Sequence, residues 1–338
     1  MKLSELYWHR ITPLHILLWP LSVLYRFFTL LKKIWYWLDI FPSIKLPVPL
    51  IVVDSISIGD GGKTPLLLWL VDLLVAQGFR PGIITRGHAE NSGPPVAVIP
   101  NSNKQPSYDS RTMLLAHLCE KLCPVWIGND RATVAQALLK AHPECDIVIS
   151  NDGLLYYRME RDIELVAADF SEQSFGNGLL LPAGPLRTAI SDLGKNGIIV
   201  TNNMQNYYGT NLSGKTCNMK LINETAYNLL QPEIHKAVSD FRNEPVHIVT
   251  DSDNAQWLYD LIQKMNLNAQ LHSHVENHRF MQKDIYFADT DTVLMPEENA
   301  LQCKTFAHSR LWAIPRKAWV NSELQMIVLN KLKSKPTM

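Results

Sequence analysis

From residue 50 onward, short apolar runs alternate with segments that carry apolar residues at helical spacing. Leu50–Ile58 reads as a strand, and a helix pattern over Pro65–Gln77 follows, closed by Gly78. Further apolar runs fall at Gly82–Thr85, Val96–Ile99, Pro124–Ile127, Asp146–Ser150, Ile163–Ala168 and Ile198–Thr201. Helical patterns at Ser110–Lys121 and Arg131–Ala141 separate some of them. This rhythm predicts an α/β fold with a mostly parallel sheet covered on both faces. Asn202–Gly214 turns polar and marks a junction, after which strands are expected at Val246–Thr250 and Thr292–Met295, and helices at Asn254–Met265 and Ser322–Lys333. The expected organisation is a larger domain over 46–205 and a smaller α/β domain over 206–338.

The beginning of the chain breaks this rhythm. Leu6–Leu38 is dominated by apolar residues, with Trp8, Trp19, Trp35 and Trp37 among basic side chains. Residues 1–45 hold Lys2, Arg10, Arg26, Lys32, Lys33 and Lys45 against only Glu5 and Asp39. Pro13, Pro20 and Arg26 interrupt the run of about 20 apolar residues that a simple membrane span needs. The mixture of Trp, Tyr, Lys and Arg with Leu instead suits a helical segment over 1–41 lying on, or dipping into, a membrane interface. A hydrophobic hairpin packed on the protein's own core is the alternative. Pro42, Pro47 and Pro49 end the segment.

Composition adds two constraints. Charged residues make up 19% of the 338 positions, below the roughly 25% usual for soluble domains, so some apolar surface is directed elsewhere than water. Lys plus Arg equals Asp plus Glu, 32 against 32; without a basic footprint, nucleic acid is not an expected partner. The five cysteines are scattered without a CxxC, as suits reduced thiols in a cytoplasmic protein. His272 and His274 alternate with Ser273 and lack further ligands at zinc spacing, so a metal site is not expected there.

Chemistry concentrates at Ser57, Ile58, Gly59, Asp60, Gly61, Gly62, Lys63 and Thr64, between the first strand and its helix. The string ends as a phosphate-binding loop does, although Ser57 stands at its leading glycine position. Glycines let backbone N–H groups turn inward around phosphate oxygens, and the helix adds the positive end of its dipole. Lys63 is expected on the β- and γ-phosphates and the Thr64 hydroxyl on Mg²⁺. Pro65 fits the first helical turn, where its missing N–H is no loss. Asp60 must point away from an anion bound there. The expected class is therefore a P-loop NTPase-like α/β protein binding ATP.

At this loop and beyond, the chain resembles the tetraacyldisaccharide 4'-kinases, the lipid A 4'-kinases of Gram-negative bacteria. The similarity runs through GGKTPLLLWLVDLL (Gly61–Leu74), GFRPGIITRG (Gly78–Gly87), PVWIGNDR (Pro124–Arg131), IVISNDGLLYYRMERDIELV (Ile147–Val166) and FGNGLLLPAGPLR (Phe175–Arg187). The resemblance implies transfer of the γ-phosphoryl group of ATP to the 4'-hydroxyl of a tetraacylated glucosamine disaccharide 1-phosphate, giving lipid IVA. It implies a membrane glycolipid as partner, at the cytoplasmic face of the bacterial inner membrane. It implies two α/β domains, Asp109 as base toward the acceptor hydroxyl, and Mg²⁺ held by Thr64 and Asp152. Lys63 and Arg187 would compensate phosphate charge, as could Arg158 and Arg161, and His278 is the one histidine left to assist the base.

The chain departs from the family pattern at several of these motifs. Asp54-Ser55 replaces a Gly-Asn pair, Asn151 the first Asp of an Asp-Asp-Gly motif, and Leu155 and Tyr156 a Gln-His pair. Ser110 stands at an acidic position, Glu276-Asn277-His278 in place of Asp-His-His, and Pro296-Glu297-Glu298-Asn299 in place of Thr-Glu-Lys-Asp. Two readings follow: a working kinase with altered motifs, or a paralogue that binds nucleotide or lipid without phosphoryl transfer. On residue type alone, Asp109 also reads as a helix N-cap, Asp152 as a turn residue, and Arg158 and Arg161 as partners of solvated ion pairs.

Overall fold

The structure is a computed structural model that describes residues 8, 13–59, 61–86, 93–100, 110–170, 175–192, 197–202, 215–252, 254–275, 278–287 and 291–333. The chain forms two compact units. One comprises Met1–Lys104, Cys119–Leu221 and Ala318–Met338, the other Gln105–Leu118 and Ile222–Lys317.

The first long helix is α1 (Pro13–Trp37). The strands and helices that follow are β1 (Leu50–Ser55), α2 (Lys63–Ala76), β2 (Pro81–Arg86), β3 (Val96–Ala97), α3 (Ser110–Cys119), β4 (Val125–Gly128), α4 (Arg131–Ala141), β5 (Ile147–Asn151), β6 (Ile163–Asp169), β7 (Gly197–Asn202) and β8 (Lys215–Ile222). The first unit is built on a nine-stranded sheet in the order β15-β8-β7-β6-β1-β5-β2-β4-β3, where β15 is Lys317–Val320. From β8 across to β4 the neighbours pair in parallel, and β3 runs antiparallel to β4.

After β1 the chain builds outward to β2 and β4, returns to place β5 beside β1, then continues on the other side with β6 and β7. The carboxyl ends of β1 and β5 therefore lie side by side where the winding reverses, the place where open α/β sheets bind ligands. All six β1 residues are buried, which explains its nearly unbroken apolar run.

Helix α2 buries Leu66, Leu67, Leu70, Val71 and Leu74 completely, at the spacing of one helix face. Helix α4 starts at Asp130, whose carboxylate accepts from Thr133 N at 3.2 Å; its boundaries equal those the periodicity predicts. Ala132, Val134, Ala135 and Leu138 of α4 pack with Leu50, Val52, Ile84 and Val148 of the sheet. Strand β8 lies after the polar stretch where the sequence suggests a junction, yet its residues Lys215–Asn218 pair with Ile198–Thr201 and extend the large sheet beyond residue 205. The chain also returns to this unit late, through β15 and α8 (Ser322–Lys333).

The second unit holds β9 (Thr225–Asn228), β10 (His235–Ala237), β11 (Val246–Asp251), α5 (Ala255–Met265), β12 (Ala269–His274), α6 (Gln282–Ile285), β13 (Thr292–Pro296), α7 (Glu297–Ala300) and β14 (Leu311–Ile314). Its six-stranded sheet runs β10-β9-β14-β13-β11-β12. Strands β14, β13, β11 and β12 are parallel, and β9 and β10 close one edge antiparallel. Leu258, Leu261, Ile262 and Met265 of α5 pack with Val246, Ile248 and Leu294.

Helix α1 inverts the usual pattern. Pro20 sits inside it without ending it, and Trp37, not Pro42, is its last residue. Its polar residues make the contacts. Ser22 Oγ donates to Leu180 O at 2.8 Å and accepts from Ala183 N at 3.0 Å. Tyr25 donates to Arg187 O at 2.9 Å, Arg26 holds Asp192 through two bonds of 3.0 and 2.8 Å, and Lys33 donates to Asp192 O at 2.6 Å. His15 Nε2 lies 2.9 Å from Asn177 Nδ2. At about 100° per residue, His15, Ser22, Arg26 and Lys33 fall within about 40° of one another. Ile16, Leu17, Trp19, Phe27, Phe28 and Trp37 are exposed. Among the described residues α1 is one long helix, held to the large unit by a polar stripe and not by a buried apolar face.

The segment beneath that stripe, Phe175–Arg187, is shaped by Gly184. A Cβ there would lie 2.3 Å from both Asn177 Oδ1 and Leu179 O, so no side chain fits without moving backbone. Gly184→Ala is expected to lower stability by about 3 kcal/mol, read as a shift of the urea unfolding midpoint at unchanged slope.

Candidate active site

The loop leaving β1 is held open by its own backbone. Gly59, Gly61 and Gly62 have φ of 103°, 54° and 85°, a region that only glycine visits without strain. Ser55 Oγ donates to Ser57 O at 2.9 Å and to Gly59 O at 3.3 Å. Ile58 N donates to Pro185 O at 2.9 Å, and Arg187 N to Ile56 O at 2.7 Å, so the loop is zipped to the end of the Phe175–Arg187 segment. Gly62 caps α2, with Leu66 N donating to its carbonyl at 3.1 Å. Lys63 and Thr64 are buried in the first turn. Asp60 lies outside the described residues.

The loop after β5 comes to the same place. Asp152 directly follows the strand, at φ 59°, and its N–H donates to Val53 O at 3.0 Å. Its carboxylate accepts from the Lys63 ammonium and lies 3.7 Å from Arg187 Nη1. The same Arg187 nitrogen donates to Asp54 Oδ1 at 2.8 Å. Asp54, fully buried, also accepts from Ser55 N at 2.7 Å and from Leu154 N at 2.8 Å. One carboxylate therefore ties the end of β1, the Asp152 turn and Arg187 together. Burial raises the Asp54 carboxyl above its ordinary value, against the pull of Arg187.

Arg131 completes the arrangement. Its guanidinium, mostly buried, donates to the carbonyls of Asn151 and Asp152, which fixes the turn that presents Asp152. Tyr156 OH donates to Asp130 and accepts from Ala132 N at 3.3 Å; burial first, then the Asp130 bond, pushes its hydroxyl up to about 12. Tyr156 thus anchors the start of α4, a structural use of a position where the sequence departs from the family pattern. Arg161 donates to the carbonyls of Leu154 at 2.8 Å and Tyr156 at 3.2 Å and pairs with Glu164 at 3.1 Å. It braces this loop. Arg158 makes an exposed pair with Asp130 at 3.1 Å.

Of the residues expected from sequence, Ser57, Ile58, Gly59, Gly61, Gly62, Lys63, Thr64, Asp152 and Arg187 are brought together in the first unit. Asp109 lies outside the described residues. His278 belongs to the second unit, where its Nε2 lies 3.0 Å from Asp284 Oδ2. Asp54 and Arg131 were not singled out as functional from sequence. The available signal for Asp54 was a carboxylate interrupting the apolar run LIVVDS. Arg131 had only the first position of a helix to mark it.

Asp152 has a lowered carboxyl pKa: burial pushes it up from 3.8, but Lys63, Arg187 and Arg131 outweigh burial. A depressed value means the native state releases this proton more readily than the unfolded chain. The stabilisation is present above the ordinary value and is lost as pH falls through the native one. Asp152→Asn is expected to flatten the fall of stability below about pH 4. Urea midpoints at pH 7 and at pH 3 measure the difference.

A parallel α/β sheet wound in both directions, with a strand, a glycine turn and a helix presenting a buried lysine beside a strand-end carboxylate, defines an α/β protein with a site suited to phosphate groups. Residues 14–333 match the sequence profile of the family described as tetraacyldisaccharide-1-P 4'-kinase, and the chain belongs to that family. It is 38% identical to the tetraacyldisaccharide 4'-kinase of Nitrosomonas eutropha over 336 residues, which span 99% of this chain and 85% of that one. It is 36% identical to the enzyme of the same description from Nitrosomonas europaea, with equal coverage. The fold matches a crystal structure described as the apo form of LpxK from Aquifex aeolicus in complex with ATP. That match has a TM-score of 0.77 at 18% identity and covers 94% of this chain and 99% of that one.

Proposed function

We propose that this protein transfers the γ-phosphoryl group of ATP to the 4'-hydroxyl of a tetraacylated glucosamine disaccharide 1-phosphate, giving lipid IVA. The observation that carries this reading is the family match over residues 14–333, with the Lys63, Asp152 and Arg187 cluster at the ends of β1 and β5 as its physical support.

The loop N–H groups and the start of α2 bind the nucleotide phosphates. Lys63 leaves the Asp152 carboxylate and reaches the β- and γ-phosphates. Arg187, kept in place by Asp54, compensates charge on the transferred group. Thr64 and Asp152 offer oxygen donors alone, as a hard divalent cation requires, and they would hold Mg²⁺. When bound, Mg²⁺ neutralises phosphate charge. Asp109 accepts the hydroxyl proton while the 4'-oxygen attacks the γ-phosphorus. The bond to the bridging oxygen breaks and ADP leaves. Because no covalent enzyme intermediate is needed, positioning and charge compensation supply the rate gain.

We further propose that α1 seats the protein on the cytoplasmic face of the inner membrane, where its acyl substrate lies. A soluble helix turns apolar residues inward; α1 turns its polar stripe inward and leaves Trp19, Phe27, Phe28 and Trp37 outside. Its Leu14–Trp37 stretch is also long and apolar enough to cross a bilayer. The bonds from Ser22, Tyr25, Arg26 and Lys33 to the large unit favour a helix lying at the interface.

The test is transfer of labelled γ-phosphate from ATP to tetraacyl disaccharide 1-phosphate in detergent micelles. Wild type labels the lipid, and Asp109→Ala lowers the rate about 10²–10⁴-fold, the usual contribution of a general base. Folded, ATP-binding wild-type protein that leaves the lipid unlabelled would overturn the kinase reading in favour of a binding paralogue.

A further inference from the structure

The second unit carries a cluster around His278, the histidine that the family resemblance offers as an aid to the base. His274 ends β12, and His278 N donates to Val275 O at 3.1 Å. This places the two imidazoles in a stack, with centroids 4.3 Å apart and planes 14° from parallel. Asp284, in the single turn of α6, accepts from His278 Nε2 at 3.0 Å and from Met281 N at 2.9 Å. One ligand atom from each of His274, His278 and Asp284 lies within 4.8 Å of the others. The edge of Phe280 walls both rings, with centroids 5.5 Å from His274 and 5.0 Å from His278.

We propose that His274, His278 and Asp284 form a binding site for one divalent transition-metal ion of the zinc class, with a fourth position open to water. Two imidazoles and one carboxylate are the donor set of open zinc sites. Zn–N and Zn–O bonds of about 2.0–2.2 Å at a tetrahedral angle put neighbouring ligand atoms about 3.4 Å apart. The His278 and Asp284 pair stands at 3.0 Å, so it opens by a few tenths of an ångström. The His274 nitrogen closes in by no more than about 1.4 Å, and its ring must turn out of the stack so that both in-plane lone pairs meet at the ion. All three side chains are partly exposed, which leaves an entry path and room for a water ligand. On binding, the ion takes the lone pair of His278 Nε2 and a carboxylate oxygen in place of the proton they share. That proton leaves to solvent or moves to Nδ1.

The ligand types set the selectivity. Imidazole nitrogens suit zinc, cobalt, nickel and copper, whereas magnesium and calcium select oxygen. No metal is expected here from sequence, although His274 and His278 stand at the H-x3-H spacing of zinc ligands. Asp284, ten residues beyond His274 in a separate helix, is joined to them only by folding. Nearby in sequence, His247 and His272 form a different group. His247 lies 2.9 Å from His272 and 3.2 Å from Asp291, and Phe287 stacks on its ring. That group serves as the control.

The experiment uses the full chain in detergent, stripped with a chelator and held in excess Mg²⁺. It is titrated with Zn²⁺ by calorimetry and with Co²⁺ by visible absorbance. One equivalent is expected to bind, with the intense cobalt bands of a four-coordinate site. His274→Ala and Asp284→Asn should each weaken binding at least about 100-fold, and His272→Ala should leave it unchanged. Asn at position 284 keeps an oxygen to accept from Met281 N, and circular dichroism checks each fold; His274→Gln replaces any variant that misfolds. Wild type that takes up no zinc tighter than about 0.1 mM would overturn the site, as would His274→Ala binding as tightly as wild type. The readout is independent of kinase activity, so it succeeds or fails separately from the phosphotransfer reading.

Discussion

Lys63→Ala is expected to reduce kcat/KM for lipid phosphorylation about 10²–10³-fold, the effect of removing one preorganised charge-stabilising donor, worth roughly 3–4 kcal/mol. The size follows from where Lys63 sits. Its side chain is buried in the first turn of α2, and its ammonium rests on Asp152. No other lysine is close enough in the described loop to replace it. Arginine is not a substitute: a planar fork does not fit a socket shaped for a point charge, so Lys63→Arg should recover little of the loss. Fold stability should change far less than rate, since Arg187 remains beside the Asp152 carboxylate and Arg131 still holds the carbonyl of that turn. Kinetics at saturating lipid, with thermal unfolding measured alongside, separate the two effects. A variant that retains more than about a third of the wild-type rate would remove Lys63 from the mechanism.

Simultaneous replacement of Trp19, Phe27 and Phe28 by Ser should lower partitioning onto anionic vesicles by roughly three orders of magnitude. Burying a large apolar side chain contributes about 1.5–3 kcal/mol, and three of them exceed the roughly 4 kcal/mol that a thousandfold change requires. These side chains are exposed, each at 57%, and none of their bonds holds α1 to the protein. The fold should therefore survive. Activity on lipid in vesicles should fall with binding, while activity on lipid in detergent micelles is retained. Flotation of the variant with vesicles at the wild-type level would mean that α1 does not face the bilayer.

Both predictions depend on features of unequal legibility. The alternation of apolar runs and helical patterns is a local signal, because a buried parallel strand must be apolar throughout and its covering helix must show a 3.6 period. The boundaries of α4 and α8 were readable to the residue for that reason. The turn ahead of Lys63 was readable because glycine is demanded wherever the backbone takes a positive φ. Strands such as β12 (AQLHSH) were not, since their polar, partly exposed residues show no pattern that a loop lacks.

The chain's own order of residues determined the α/β class, the loop from Ser57 to Thr64, and the apolar excess at its beginning, because each depends on neighbours in sequence. Only the tertiary structure decided that Asp54 joins Leu154 N to Arg187 across 133 residues. It also decided that Arg131 fixes the Asp152 turn and that α1 faces inward with its polar stripe. Those outcomes turn on which groups lie within hydrogen-bonding distance after the sheet forms. A buried carboxylate or guanidinium must find its partners wherever the fold supplies them, and sequence spacing carries no record of that distance.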